Sequence, residues 1–249
     1  TSGTGQMMAN LADGEIDVAV ALTDGAIAAI ARGNPSRIVS LYVTSPLLWG
    51  VHARAEAAIG QLTDIDGEHR FAISRFGSGS HLMAHVLGHE QNVEFFEESF
   101  SVVGDLDGGV NALTDGTADL FLWDTFMTSP YVESGQLKRV GIQPTPWPAF
   151  VIVASERVLA DQRPDLAALL KIIAGWEQRF STIPEEFAAA MVTREFGLKR
   201  EVARGWRAGT VWNSGAAFDP AAIERAQSVL HTTGVVSKEL SLHHLVDPI

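Results

Sequence analysis

The fold prediction for this chain starts from the segment Arg75-Phe76-Gly77-Ser78-Gly79-Ser80-His81. It follows the apolar run Phe71-Ala72-Ile73 and precedes the mostly apolar residues 82–87, an order typical of strand, glycine loop and helix. The glycines allow positive φ, the serines favour an N-cap, and the first amides of a helix lack intrahelical acceptors. The loop therefore predicts a site for a small anionic or hydrogen-bond-accepting group, with an ordinary capped helix as the alternative. It matches neither the Walker loop nor the dinucleotide fingerprint.

The composition narrows the classes of function. The chain has 249 residues, of which 46% are hydrophobic, and a formal net charge of -12. This length allows two lobes with their own cores, and the charge argues against a surface for nucleic acid or anionic membrane. The sequence has no cysteine, which excludes disulfides, thiolate catalysis and cysteine-ligated metals. No apolar run has the length of a membrane span.

The start of the chain has the character of a glycine-rich loop. Residues 1–5 read Thr-Ser-Gly-Thr-Gly, without an initial methionine. We interpret the chain as beginning part-way into a domain, with any targeting segment upstream. The absence of cysteine fits the cytosol and the periplasm equally well, so the location stays open at this point.

Strands and helices alternate along the first two thirds of the sequence. Apolar runs predict strands at 17–22, 37–43 and 100–103, and helical spacing predicts helices at 6–12 and 26–31. Residues 104–109 are predicted as a glycine-rich loop. From residue 156 onward the pattern is helical, with helices predicted at 164–180, 184–196, 201–212 and 219–230.

An internal repeat supports two similar α/β lobes. Residues 11–20 (LADGEIDVAV) align with residues 113–122 (LTDGTADLFL), and the leucine and both aspartates keep one offset. Both copies predict a helix, an Asp-Gly stop and a strand. In sheets built this way, ligands bind beyond the carboxyl ends of the strands.

The candidate ligand-binding residues lie at these strand ends or at the segments that cross between lobes. They are Thr4, Gly5, Thr23, Asp24, Ser45, Trp49, Ser78, Gly79, Ser80, Trp123, Asp124 and Trp147. Core packing is the alternative role for the three tryptophans. Lobe 1 is predicted to comprise residues 1–48 and 150–249 and lobe 2 residues 49–149, with a hinge at the crossings 46–51 and 150–154.

Five motifs together resemble a known group of proteins. They are LADGEIDVA at 11–19, TDG at 23–25, SPLLWG at 45–50, SRFGSGS at 74–80 and TPWPAF at 145–150. The chain resembles the type 2 periplasmic binding proteins of the alkanesulfonate and thiamine-pyrimidine-precursor group, and most of all the branch typified by a Candida protein. The resemblance implies an α/β fold of two lobes that close on a small molecule for an ABC transporter permease. It also implies that the first strand and helix of lobe 1 precede Thr1.

By this resemblance, the loop at 78–80 holds the polar head of the ligand, and the cleft is lined by Thr23, Asp24, Ser45, Trp123 and Asp124. A sulfonate would require Arg or Lys, whereas these strand ends carry two aspartates with only Arg75 nearby. A neutral or basic heterocycle is therefore favoured over an alkanesulfonate. Replacing Ser78 and Ser80 by alanine is expected to weaken binding by about 1 to 3 kcal/mol without unfolding the protein.

An enzyme on the same fold, of the thiamine-pyrimidine or menaquinone-pathway type, is the alternative function, and a cytosolic small-molecule sensor is another. His81, His85 and His89 share one helix face but lack the further ligands of a zinc site, so we interpret them as a solvated stripe. Only His81 is a candidate acid or base. We expect a binding protein that is not an enzyme and that has no cofactor and no metal.

Overall fold

The computed structural model describes residues 3–249, which divide into two compact units. Unit 1 contains residues 3–46, 146–191 and 204–249, and unit 2 contains residues 47–145 and 192–203. This division differs from the predicted lobe bounds at 47–48, 146–149 and 192–203.

Strands and helices alternate along both units. The strands are β1 Val18–Leu22, β2 Ser36–Val43, β3 Leu48–Arg54, β4 Phe71–Ile73, β5 Phe100–Val102, β6 Leu120–Asp124, β7 Leu137–Pro144 and β8 Phe150–Ser155. The helices are α1 Thr4–Ala12, α2 Thr23–Ala31, α3 Gly79–Gln91, α4 Leu106–Asp115, α5 Ser129–Glu133, α6 Glu156–Asp161, α7 Arg163–Thr182, α8 Glu185–Phe196, α9 Arg200–Gly209, α10 Pro220–Thr232 and α11 Leu242–Leu245. The predicted α/β class is confirmed.

Unit 1 contains a three-stranded sheet in the order β1-β8-β2. Both outer strands run antiparallel to β8, so β1 and β2 are parallel to each other and end at the same edge. Buried apolar side chains on one face, such as Ile152, pack with Val158 and Leu166 of the following helices. Helices α2 and α6 both pack against β8, and residues 151–154 on both of its faces are buried, which explains why β8 is an almost continuous apolar run.

Unit 2 contains a five-stranded sheet in the order β5-β4-β6-β3-β7. β4 is parallel to both β5 and β6, whereas β3 is antiparallel to β6 and β7. The core on one face is built around Phe121 and Leu113, which are almost completely buried. Burial of these apolar side chains is favourable, so it decides which face of β6 packs against the core.

The internal repeat corresponds to the same local structure in each unit. α1 leads through Gly14 into β1, and α4 leads through Gly116 into β6. The two glycines have φ values of 73° and 78°, the left-handed region that glycine adopts without steric cost. In both copies of the repeat, the Asp-Gly pair therefore ends the helix as predicted.

Several predicted boundaries are wrong, and the first is the start of α1, which begins at Thr4 rather than at Gln6 and so includes Thr4 and Gly5. α2 begins at Thr23 rather than at Ala26, and α4 begins at Leu106, inside the segment predicted as a loop. The third C-terminal helix ends at Gly209, because Trp212 instead forms a β-bridge with Val43. The start of α4 follows from a local N-cap, since Asp105 Oδ1 accepts from the Gly108 amide, whereas the bridge of Trp212 to Val43 is a tertiary contact. Among residues 3–249, no helix has the length and apolarity to cross a membrane.

Candidate functional site

The register of the unit 1 sheet brings several predicted residues to one edge. Leu22, at the end of β1, and Val43, at the end of β2, both pair with Phe150, at the start of β8. The residues that follow β1 and β2 and precede β8 therefore lie together. Among the predicted residues this edge, here called the unit 1 edge, contains Thr4, Gly5, Thr23, Asp24, Ser45 and Trp147.

Hydroxyl and backbone groups hold this edge in place. Thr23 is completely buried, and its Oγ1 donates to the Pro148 carbonyl oxygen at 2.5 Å. The Ala149 amide donates to the Ser45 carbonyl at 3.0 Å, and Ser45 Oγ accepts from the Val211 amide at 3.1 Å. Because these groups bond within the unit, Thr23 and Ser45 act mainly by shaping the edge.

The first turns of α1 and α2 also meet at this edge. Thr4 Oγ1 accepts from the Leu22 amide at 3.0 Å, which ties the start of α1 to the end of β1. A Cβ added to Gly25 would lie 2.6 Å from Thr4 Cγ2, so only glycine allows this approach. Two sets of first-turn amides, each at the positive end of a helix dipole, therefore lie near each other.

Asp24 places a carboxylate among these amides. It lies in the first turn of α2 and is 5% exposed. Burial raises the pKa of Asp24 to about 6, and its own amide, the Gly25 amide and the Trp147 indole, all close to the carboxylate, oppose that rise. Trp147 is itself only 3% exposed, so it orients Asp24 rather than offering an open ring face.

The second group of predicted residues meets at one edge of the unit 2 sheet, here called the unit 2 edge. Trp49, near the start of β3, pairs with Asp124 at the end of β6 and with Gln143 near the end of β7. β4 runs parallel to β6, so the loop that follows β4 leaves from the same edge. That loop contains Ser78, Gly79 and Ser80.

The two serines of the loop bond within the protein. Ser78 Oγ accepts from the His81 amide as the N-cap of α3, and Ser80 Oγ accepts from the Ser74 amide at 3.1 Å. The two hydroxyl oxygens lie 3.1 Å apart. Because both side chains are buried, they stabilise the loop, and the exposed residues of the loop are Arg75, Phe76 and Gly77.

We therefore expect Ser80→Ala to lower stability as well as any affinity for ligand. The Ser74 amide would lose its acceptor in a buried position, which costs about 1 to 3 kcal/mol. Urea unfolding of the variant measures this loss. Ser134→Ala is the matched control in the same unit, because its hydroxyl is exposed and bonds only to the nearby Tyr131 carbonyl. Equal stability of the two variants would contradict the supporting role.

The carboxylate of Asp124, at the end of β6, also forms hydrogen bonds with the backbone. Asp124 Oδ1 accepts from the amides of Phe126 and Met127 at 3.0 and 2.9 Å. Burial raises the pKa of Asp124, whereas these bonds and the nearby Arg139 lower it. Trp123 stacks on Phe121 with ring centroids 5.3 Å apart, and Trp49 is 7% exposed. Both tryptophans therefore contribute to packing at this edge.

Comparison with known proteins adds to this geometry. A family model described as Ca3427-like PBP, a periplasmic binding protein, matches residues 49–142, which lie in unit 2. The Candida albicans CA3427 gene product, described as having the generic periplasmic binding protein fold, is 23% identical with a TM-score of 0.90. The match covers 99% of this chain and 84% of that one. This chain has the type 2 periplasmic-binding-protein fold.

Two further structures share this periplasmic-binding-protein fold. The alkanesulfonate-binding protein SsuA from Xanthomonas axonopodis pv. citri, bound to MOPS, is 14% identical with a TM-score of 0.81, over 100% of this chain and 86% of that one. The ligand-binding component of an ABC-type import system from Staphylococcus aureus, with zinc bound, is 16% identical with a TM-score of 0.76. This match covers 100% of this chain and 84% of that one. No curated protein matches this chain by sequence.

The histidines of α3 differ from the predicted solvated stripe. His81 and His85 are half-buried against Phe100 with their Nε2 atoms 3.2 Å apart, and only His89 is exposed. The Gly77 amide donates to His81 Nδ1 at 3.1 Å, so neutral His81 carries its proton on Nε2. Burial, followed by the nearby His85, lowers the pKa of His81 to about 4. His81 therefore supports the 75–80 loop as a neutral acceptor.

Sequence reasoning missed His52, which is completely buried in β3 of this fold. Its Nδ1 donates to the Phe121 carbonyl at 3.3 Å, and its Nε2 accepts from Thr128 Oγ1 at 2.9 Å. Burial and the nearby Arg139 lower the pKa of His52 to about 4. The only sequence signal that could have identified His52 as a buried polar residue was its position within the mostly apolar segment of β3. In the described part of the chain, no three His, Asp or Glu side chains form a group that could hold a metal ion.

Proposed function

We propose that this chain is a solute-binding protein that binds a small organic molecule and delivers it to an ABC-type importer. The observation that carries this proposal is the gathering of carboxylate, hydroxyl and first-turn amide groups at the strand ends of unit 1. Ligands of open α/β sheets bind beyond such strand ends. The fold and the S. aureus importer component support the role in transport.

The predicted site residues have two proposed roles. Asp24, together with the first turns of α1 and α2, is proposed to contact the solute directly. Buried residues such as Trp147, Thr23 and Ser80 are proposed to fix the shape of the two edges. Thr23 and Ser80 have the supporting role because their hydroxyl groups are already paired inside the protein, which leaves them little capacity for a ligand.

Two solute classes follow from the sequence, a pyrimidine-type thiamine precursor and an alkanesulfonate. The relative bound to MOPS supports the second class. We propose that the protein acts outside the cytoplasm if it is bacterial, as expected of a periplasmic binding protein. A fungal protein of this sequence would act in the cytoplasm.

We also propose that the protein is not an enzyme. At the unit 1 edge, the groups that influence the pKa of Asp24 are two backbone amides and the Trp147 indole, and none of them is a histidine or a nucleophile. His52 and Thr128 do bond to each other, but both are completely buried and a solute does not reach them. A catalytic constellation needs a base, a nucleophile and access for the substrate.

A thermal-shift screen with recovery of the compound tests this function. The compounds are aminopyrimidines, alkylamines, alkanesulfonates and small carboxylates. A solute at about a hundredfold its Kd adds about 2.7 kcal/mol of stability and raises Tm clearly. We expect one class to raise Tm and to be recovered unchanged by chromatography. A compound that is consumed would instead indicate an enzyme, and no shift with any class would contradict solute binding.

A further inference from the structure

We propose that the outward face of α7 is a self-association surface, through which two copies of this chain form an antiparallel helix pair with two-fold symmetry. The apolar part of this face is Leu169, Ile172 and Trp176, with Asp165 and Arg179 at its two ends, and we call it the α7 face. The whole face lies in unit 1. Self-association goes beyond the proposed solute binding and does not depend on it.

The first step of the argument is that α7 has apolar residues on two faces, whereas a surface helix ordinarily has one apolar face. On the inner face, Leu166 and Ile173 pack with the core of unit 1. On the outer face, Leu169, Ile172 and Trp176 are 40%, 59% and 64% exposed. Their spacing of three and four residues places them side by side on the helix surface. A contiguous exposed apolar stripe of this kind marks an interface with another protein.

The second step is the symmetry of the α7 face, which identifies the partner as another copy of the chain. Asp165 and Arg179 lie seven positions before and seven positions after Ile172. In a two-fold antiparallel pair centred on Ile172, positions equally far from the centre come to the same level. Asp165 of each copy therefore meets Arg179 of the other copy. A parallel pair would bring like charges together, so the charges select the antiparallel arrangement.

The sizes of the side chains follow the same symmetry. Trp176 of one copy is level with Ala168 of the other, since both lie four positions from Ile172. Gly175 of one copy is level with Leu169 of the other, three positions from Ile172. Each level thus combines a large side chain with a small one, and a Cβ at Gly175 would have no heavy atom within 4 Å. This open space lets two helices approach to the usual distance of about 8 to 10 Å.

The third step is the state of the two charged ends. Both Asp165 and Arg179 are exposed, and no ion pair joins either of them to another described residue. The Arg179 guanidinium lies over the Trp176 ring, 5.1 Å from its centroid, so its charge is held on the α7 face. A second copy supplies the opposite charge at both ends.

The expected dimer is weak, because one helix pair is a small interface. The stretch 165–179 is roughly 21 Å long, at about 1.5 Å per residue. Such a pair buries less than the about 1,600 Å² of a standard stable interface. We therefore expect a Kd of about 10 to 100 μM for wild type.

The first experiment is sedimentation velocity of wild type, Ile172→Glu and the control Gln178→Glu, between about 5 and about 500 μM protein. We expect wild type to shift from monomer to dimer over this range. Ile172→Glu should stay monomeric, because two carboxylates would meet at the centre of the pair. Gln178 is exposed on the same helix, about 120° around the axis from Ile172. Its replacement adds the same charge outside the α7 face, so the control should dimerise as wild type does.

The second experiment exchanges the charges at the two ends. Asp165→Arg and Arg179→Asp should each weaken the dimer about tenfold or more, because like charges then meet at both ends. The double variant, which exchanges the two charges, should recover wild-type association. An equimolar mixture of the two single variants should also form dimers. Far-UV circular dichroism checks that every variant is folded, and recovery by exchange separates charge pairing from a folding defect.

Three outcomes would overturn the proposal. Wild type that stays monomeric up to about 500 μM would do so, and the importer permease would then be the occupant of the α7 face to test. A dimer that survives Ile172→Glu would place the contact on another surface. Weakening by the single charge variants without recovery in the double variant or in the mixture would rule out the antiparallel pairing.

Discussion

Replacing Phe121 by alanine is expected to destabilise unit 2 by about 3 to 5 kcal/mol, the usual cost of emptying a large buried aromatic site. Phe121 is completely buried in β6 and belongs to a core cluster with Leu113 and Leu137. Its ring stacks on Trp123 with centroids 5.3 Å apart and lies against Gly109 of α4. The cavity would therefore loosen the strand that carries Trp123 and Asp124.

Urea unfolding, with hydrogen exchange of β6 amides as a local readout, measures this effect. A local readout is needed because a protein of two units need not unfold in one step. Phe96→Ala is the matched control, since Phe96 is 64% exposed in the same unit. We expect the control to change stability by about 0.5 kcal/mol or less. A Phe121→Ala variant as stable as the control would contradict the assignment of this core.

Replacing Gly108 by alanine is expected to destabilise the protein by about 3 kcal/mol, at the upper end of the usual cost of overpacking. A Cβ at this position would lie 2.1 Å from the Val103 carbonyl oxygen. That oxygen is a backbone atom, so it moves only if the chain moves. The displacement would also break the N-cap bond from the Gly108 amide to Asp105 Oδ1, now 2.9 Å long.

Gly175→Ala is the control for this second variant. Gly175 also lies inside a helix, α7, but a Cβ there would have no heavy atom within 4 Å. Alanine at this position should raise stability by up to about 1 kcal/mol, because alanine favours helix over glycine. Urea unfolding of both variants gives the comparison. Similar stabilities for the two would show that Gly108 is retained for another reason.

The sequence by itself determined the α/β class and the order of most elements. The apolar runs at 17–22 and 37–43 predicted β1 and β2, because strands covered on both faces are almost continuously apolar. The Asp-Gly pairs at 13–14 and 115–116 predicted two helix ends, since glycine accepts positive φ. The predicted polar residues then gather at two edges, because β1 and β2 both run antiparallel to β8 and β4 runs parallel to β6. All of these are local signals or follow from simple topology.

Tertiary structure decided the burial, the hydrogen-bond partners and the pKa values of the site residues. Asp24 is buried, and one of the groups that influence its pKa is Trp147, which is far away in sequence and is buried as well. Ser80 supports its loop because the Ser74 amide points at it, and His52 is hidden inside a strand. Burial, hydrogen-bond partners and pKa depend on residues that are distant along the chain. A local sequence pattern specifies which groups are present, and only their packing determines which of them are left for a ligand.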